Sequence, residues 1–487
     1  MSLTNAVARQ REEIISEQEP SSSLSRESEG SANESYWRKL VPHSLPEILL
    51  LGVVVLVVSL HLKYLLDVRT AMPNQDDWNL LDKMFRAHDV HRVGAWVFDC
   101  PNGHFLVPAA LAYLFSYHYL SLDLAPLRFL NFPVCLAAFC LTAHVITTGI
   151  RSRFLRFYLY AGASFIIFSL CLWEHFALGC GFSAVLAALF GGIGLYYIAR
   201  VAQASVNWKR DLLMGVVFLI ASVLSLGSGY AAVGAAVALL ALSYLKRRLA
   251  RWLTPRYETV IFCLLWALGL LAIVSHPLFH LKSRLTKAVL HVVLVAGSAG
   301  SSYLDKSTLL AQNVAFVVGA ILIATSLWIG FDFFIRQRSH SRLLPTFSVA
   351  LILFGLFGCI AVTIVRSYLP NGEFLNSRYA LYPCLCLLGI LLYFGCSKVF
   401  FLTHAWCFLA AGFLLASVRE HQIGFYRPQL YSAMERAINR IDDLSDEQLR
   451  AALYWRDNTK GVRRVVARMR RDRLNVYRGA PQAANRP

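Results

Sequence analysis

Long apolar stretches alternate with short polar breaks along most of the chain. Apolar runs fall near 46–66, 104–122, 127–149, 154–173, 181–201, 211–227, 229–246, 257–275, 311–334, 343–366, 380–398 and 401–418. A helix crosses roughly 30 Å of hydrocarbon with about 20 such residues. The pattern therefore predicts an all-α polytopic membrane protein. Composition agrees: 57% of residues are hydrophobic, 16% are charged and the mean hydropathy is +0.51. A soluble multidomain chain would have to bury every one of these runs in an ordinary core.

The two ends read differently. Residues 1–44 are polar, rich in Ser and Glu and without an apolar run, which predicts a disordered cytoplasmic tail with no cleavable signal. The run at 46–66 then serves as a signal-anchor, residues 45–420 form the membrane body, and 421–487 form a basic, helical C-terminal tail. Within that tail, Ser445-Asp446-Glu447-Gln448 has the form of a capping box opening a helix through Trp455. The stretch 460–473 (KGVRRVVARMRRDR) patterns as a basic amphipathic helix, whose ordinary place is against anionic head groups.

Charge fixes the expected topology. The basic connectors RSRFLR (151–156), NWKR (207–210), KRRLAR (246–251) and RQRSHSR (336–342) should all be cytoplasmic. With the N-terminus inside and every run crossing, all four fall outside. They return inside if 104–122, which carries His104, Pro108 and His118, is interfacial or re-entrant. About eleven spanning helices plus that one result. The loops at 67–103, 174–181, 227–229, 276–310 and 367–379 then share the extracytoplasmic face, and the C-terminal tail joins them against the positive-inside trend.

The net charge of +18 accordingly reads as topology and contact with membrane lipids, not as nucleic-acid binding. Eleven cysteines include no CxxC pair and lie mostly inside apolar runs, as small core residues do.

Three polar islands interrupt the apolar pattern on the expected outer face. The loop 67–103 carries the pair Asp76 and Asp77 beside Trp78, and further on Asn102, with His104 just beyond it. An aspartate at a helix start is held ionised by the helix dipole, as a general base requires, although plain capping is the commoner role of such a residue. The histidines of HDVH (88–91) lack the further ligands a zinc site needs. WEHFALGCGF (173–182) supplies Glu174 and His175, and charged groups at a membrane edge are costly enough to suggest function. The third island, 366–383, carries Arg366, Glu373, Arg378 and Tyr379, and Arg378 can fork onto a phosphate or carboxylate at head-group depth.

DDW (76–78) after the first helix, PNGHFLVP (101–108), WEHFALGCGF and SRYALYP (377–383) occur in an order that resembles bacterial membrane glycosyltransferases of the GT-C superfamily, and the ending DRLNVYR (472–478) is similar to that family's short tail. The resemblance covers roughly 45–420. It implies a GT-C-like fold in the bacterial cytoplasmic (inner) membrane with an extracytoplasmic active face. A sugar would pass from a polyprenyl-phosphate donor to a glycan or lipid acceptor of the cell envelope, probing no nucleic acid and requiring no cofactor, a divalent cation being left open. In that scheme Asp76 or Asp77 is the general base, Arg378 steadies the leaving phosphate, and Trp78, Asn102, His104, Glu174, His175 and Tyr379 bind substrate. The sequence departs from the family at Asn102-Gly103-His104-Phe105, which has no acidic residue. The competing readings are a transporter or flippase of a lipid-linked sugar and an O-antigen polymerase or ligase; the first would place charges near mid-bilayer within an inverted repeat.

Overall fold

A computed structural model describes residues 41–74, 76–98, 105–203, 205–249, 282–301, 308–335, 343–366, 370–396, 429–453 and 458–478. Among these residues all regular structure is helical, with no strand. Among the described residues six helices are long and apolar enough to cross a membrane: Leu45–Asp67, Ala125–Gly149, Arg153–Ala177, Phe182–Ala202, Leu309–Phe334 and Leu343–Arg366. Shorter apolar helices cover Gly229–Leu245, Lys287–Gly300 and Leu381–Cys396. The chain is thus a multi-pass helical membrane protein. The runs at 257–275 and 401–418 and most of the polar N-terminal tail lie outside the described residues.

Two units can be distinguished. In the first, Met1–Leu49, the described part opens the Leu45–Asp67 helix, and the Glu47 carboxylate accepts from the His43 amide at 2.8 Å. The second, Leu50–Pro487, contains the rest of the body together with the described C-terminal residues.

The stretch expected to be interfacial or re-entrant folds as Val107–Tyr119, 13 residues with Pro108 in its first turn. At roughly 1.5 Å per residue it is too short to cross the hydrocarbon. The expected outer loop 276–310 needs correction: Lys282–Ser301 is a helix packed along Leu309–Ile335. Small residues permit this contact. A Cβ on Gly297 would overlap the Ala315 carbonyl oxygen, and one on Gly319 would overlap the Val293 carbonyl oxygen, so only glycine lets the two backbones approach this closely. Lys287, His291 and Ser298 break the apolar run and hide the helix in the sequence.

The C-terminal tail differs from expectation in one respect and matches it in another. Ser445 and Gln448 form the reciprocal box, amide of each to side chain of the other at 2.9 and 3.2 Å, opening Asp446–Leu453. The basic amphipathic helix forms over Thr459–Arg471, but its apolar face is turned to protein. Its apolar face, Val462, Val465, Val466 and Met469, is buried in one cluster with Trp78, Leu81, Met84 and Phe85 of the Asp76–Asp89 helix. Burying that face against protein removes the apolar surface that a head-group anchor would need. The tail therefore lies on the same side of the bundle as the Asp76 loop.

Candidate active site

Asp76 and Asp77 begin the Asp76–Asp89 helix, where free backbone amides and the helix dipole favour carboxylates. Asp77 turns inward and is 0% exposed. Its carboxylate accepts from the Tyr113 hydroxyl at 2.5 Å and from the amides of Asn74 at 3.0 Å, Gly179 at 3.2 Å and Cys180 at 3.3 Å. Arg128, 1% exposed, completes the shell at 3.4 Å. The same guanidinium donates to the carbonyls of Ala177 at 2.8 Å, Met72 at 2.6 Å and Thr70. One buried ion pair thus joins the segments 70–77, 113–128 and 177–180. A buried pair is tolerable when hydrogen bonds satisfy both partners, as here, and removing one partner costs about 3–5 kcal/mol.

The turn at 177–181 fits this arrangement only because of its glycines. A Cβ on Gly179 would sit 2.7 Å from the Tyr113 hydroxyl, and one on Gly181 would overlap the His175 carbonyl oxygen. The ALGCGF spacing therefore lets two amides reach Asp77.

Asp76 stays at the rim, with its side chain 46% exposed. It faces Arg378, whose Nη1 lies 3.9 Å from Asp76 Oδ2. Arg378 belongs to the short turn Ser377–Tyr379, and Glu174 and His175 belong to the short helix Trp173–Ala177. These two elements are laced together. Glu174 Oε2 accepts from the Arg378 amide at 3.2 Å and lies 3.3 Å from its Nε, while the Glu174 amide donates to Ser377 Oγ at 3.1 Å. His175 Nε2 lies 2.9 Å from the Arg378 carbonyl oxygen, and because a carbonyl only accepts, the proton sits on Nε2. Asn131 Nδ2 then bridges the His175 carbonyl at 3.3 Å and the Arg128 carbonyl at 3.0 Å, tying this wall to the Asp77 ion pair.

Electrostatics separates the groups further. Burial pushes the Asp76 carboxyl above its ordinary range; Arg378 opposes the shift and Asp77 adds to it. Burial works against the Arg378 charge, but Glu174, Tyr379 and Asp76 outweigh it and keep the guanidinium firmly protonated. Burial also raises the Tyr379 phenol, against the pull of Arg378, whose guanidinium stands 6.0 Å from the Tyr379 ring centre. Arg366, at the end of Leu343–Arg366, adds positive potential at both Asp76 and Tyr379.

Asp76, Asp77, Glu174, His175, Arg378 and Tyr379 therefore come together from three distant stretches. Trp78 does not join them and is corrected here: it is 1% exposed and closed into the core cluster, because it follows Asp77 on the inward face of an amphipathic helix. Asn102 and His104 lie outside the described residues. The HDVH residues go elsewhere, His88 against the Tyr117 ring and Asp89 to Arg468 at 2.6 Å. Among the described residues no three His, Cys, Asp or Glu side chains are placed to hold a metal ion. Sequence reading missed Tyr113, Arg128 and Asn131; the one signal was a lone arginine in the otherwise apolar APLRFLNF stretch.

An apolar cavity of about 70 Å³ lies among the membrane helices, and none of Asp76, Glu174 or Arg378 lines it. Its lining includes Leu172, immediately before the helix bearing Glu174, and Leu381, two residues after Tyr379, together with Cys135, Val185, Phe347 and Cys384. No family model, curated protein or solved structure matches the chain.

Proposed function

We propose that this protein is a glycosyltransferase of GT-C type that takes a sugar from a polyprenyl-phosphate donor to a glycan or lipid acceptor of the cell envelope. The reading places it in a bacterial inner membrane, with about eleven crossings and its site on the extracytoplasmic face. The observation that carries it is the meeting of Asp76, Glu174 and Arg378 at one rim. A carboxylate at the rim and a fixed cation within reach, carried on a body of apolar helices, suit a substrate that is part sugar, part phosphate and part lipid.

In this reading Asp76 is the base, since Asp77 spends its lone pairs on buried donors. Asp76 takes the proton of an acceptor hydroxyl as that oxygen bonds to the anomeric carbon. The bond from that carbon to the phosphate oxygen breaks, and its electron pair leaves on the lipid phosphate with inversion at the sugar. Arg378 faces the charge that grows there, and Arg366 adds to its field. Glu174 acts through Arg378, which it holds by both backbone and guanidinium. A base near neutrality serves better than an ordinary carboxylate, and the raised Asp76 proton affinity moves it that way. Charged groups gathered at helix ends favour this reading over a carrier, whose charges belong near mid-bilayer.

The test is transfer of labelled sugar from a polyprenyl-phosphate donor in membranes holding the full chain. Wild type transfers and Asp76→Asn, at equal abundance, does not; equal transfer by both removes Asp76 from the reaction.

A further inference from the structure

The C-terminal segment is bonded to the helix that presents Asp76. Arg464 forks onto Asp82, with Nε 2.9 Å from Oδ1 and Nη2 2.8 Å from Oδ2. Asp82 lies six residues beyond Asp76 on that helix, is 2% exposed, and also pairs with Arg86 at 2.7 Å. Nearer Asp76, Asn458 Nδ2 donates to Asn79 Oδ1 at 3.2 Å, and at the far end Arg468 pairs with Asp89 at 2.6 Å. The loop leading into the helix is held as well. Asn475 Nδ2 donates to the carbonyls of Ala71 at 2.6 Å and Leu122 at 2.7 Å, and its amide donates to Ser121 O at 2.7 Å.

These contacts run the whole length of the helix, on top of the shared apolar cluster. A bidentate guanidinium on a nearly buried carboxylate restricts both rotation and sliding of the helix that carries it. Basic composition alone would send this segment to the cytoplasmic side. Its contacts put it beside Asp76 instead.

We propose that the C-terminal segment is a clamp on the Asp76 face of the membrane, and that Arg464 is a positioning residue which, through Asp82, fixes the orientation of Asp76. The positioning role rests on the reading of Asp76 as the base; the clamp does not. Removing the Arg464 fork leaves Asp82 paired with Arg86 and loosens the helix at that point while its other contacts remain, and misplacement by about 1 Å costs on the order of a hundredfold in turnover.

The experiment uses the full chain in membranes. Asn79→Cys with Asn458→Cys is expected to form a disulfide on mild oxidation, which neither single variant gives, and a membrane-impermeant maleimide added from the outside is expected to block it. Arg464→Gln is expected to lower cross-link yield several-fold and turnover by tenfold or more at unchanged donor KM, with Arg464→Lys between the two. Closing the cross-link in Arg464→Gln is expected to restore turnover, which a general loss of folding would not allow. Absence of the cross-link in the double-cysteine chain overturns the clamp; a cross-link that forms but is protected from the external maleimide leaves the clamp standing and overturns the extracytoplasmic placement of this face. Equal yield and turnover in Arg464→Gln overturn the positioning role. If Asp76→Asn keeps its activity while the cross-link forms, the failure lies in the reading of Asp76 and not in the clamp.

Discussion

Asp76 and Asp77 are neighbours in the chain, yet Asp77 is sealed among five donors while Asp76 keeps 46% of its side-chain exposure and looks across 3.9 Å at Arg378. One helix start thus yields an internal brace and an open carboxylate. Helical geometry turns successive residues by roughly 100°, so adjacent aspartates cannot share one environment.

If Asp76 is the proposed base, its proton affinity sets the acid limb of activity. Only the ionised carboxylate can accept a proton, so transfer rises with pH as Asp76 ionises. Burial displaces that limb above the ordinary carboxylate range, and Arg378 restrains the displacement. Arg378→Gln should therefore move the acid limb to higher pH as well as lowering the plateau, measured as initial transfer rate against pH. For stability the sign is opposite to that of a salt-bridged acid. Folding favours protonated Asp76, so its contribution is present below the unfolded-state pKa and is lost as pH rises through the folded one.

How much of this was legible in the sequence follows from its local signals. Asp76, Glu174 and Arg378 were visible as polar interruptions of apolar runs, because charge at a membrane edge stands out against such a background. Their convergence rested on counting crossings. The roles of Arg128 and Tyr113 were not visible, since each makes its bonds to segments about 36–58 residues away and sits in an otherwise unremarkable helix. The C-terminal helix misled for a different reason: a basic amphipathic pattern fits lipid and protein surfaces equally, and only the partner Asp82 decides between them. The Lys282–Ser301 helix was hidden because small and polar residues dilute its hydropathy while allowing its close packing.

Arg128→Ala should destabilise the protein by about 3–5 kcal/mol, because it leaves Asp77 charged and enclosed. Loss of the folded fraction, followed by thermal unfolding in detergent, measures this. Retained stability would mean that Asp77 does not depend on the pair.

Gly181→Ala should lose most folded protein, and Gly179→Ala should lose less. The Cβ at 181 meets backbone, which cannot yield, whereas the one at 179 meets the end of the Tyr113 side chain. Overpacking of this kind costs roughly 1–3 kcal/mol, and more where the obstacle is rigid. Membrane abundance of the two variants gives the order.

Trp78→Ala should cost about 3–5 kcal/mol through the cavity it leaves in the shared cluster. Trp78→Phe should keep the donor KM unchanged, since the ring faces core and not substrate. A KM rise without loss of stability would return Trp78 to the site.

The central claim is that the acidic pair divides into a base and a brace. Asp76→Asn and Asp77→Asn, compared for folded abundance and for sugar transfer per folded molecule, test it most directly. Asp76→Asn should keep wild-type abundance and lose transfer by about 10²-fold or more, while Asp77→Asn should lose abundance. Full transfer by folded Asp76→Asn, or full abundance with lost transfer in Asp77→Asn, would contradict it.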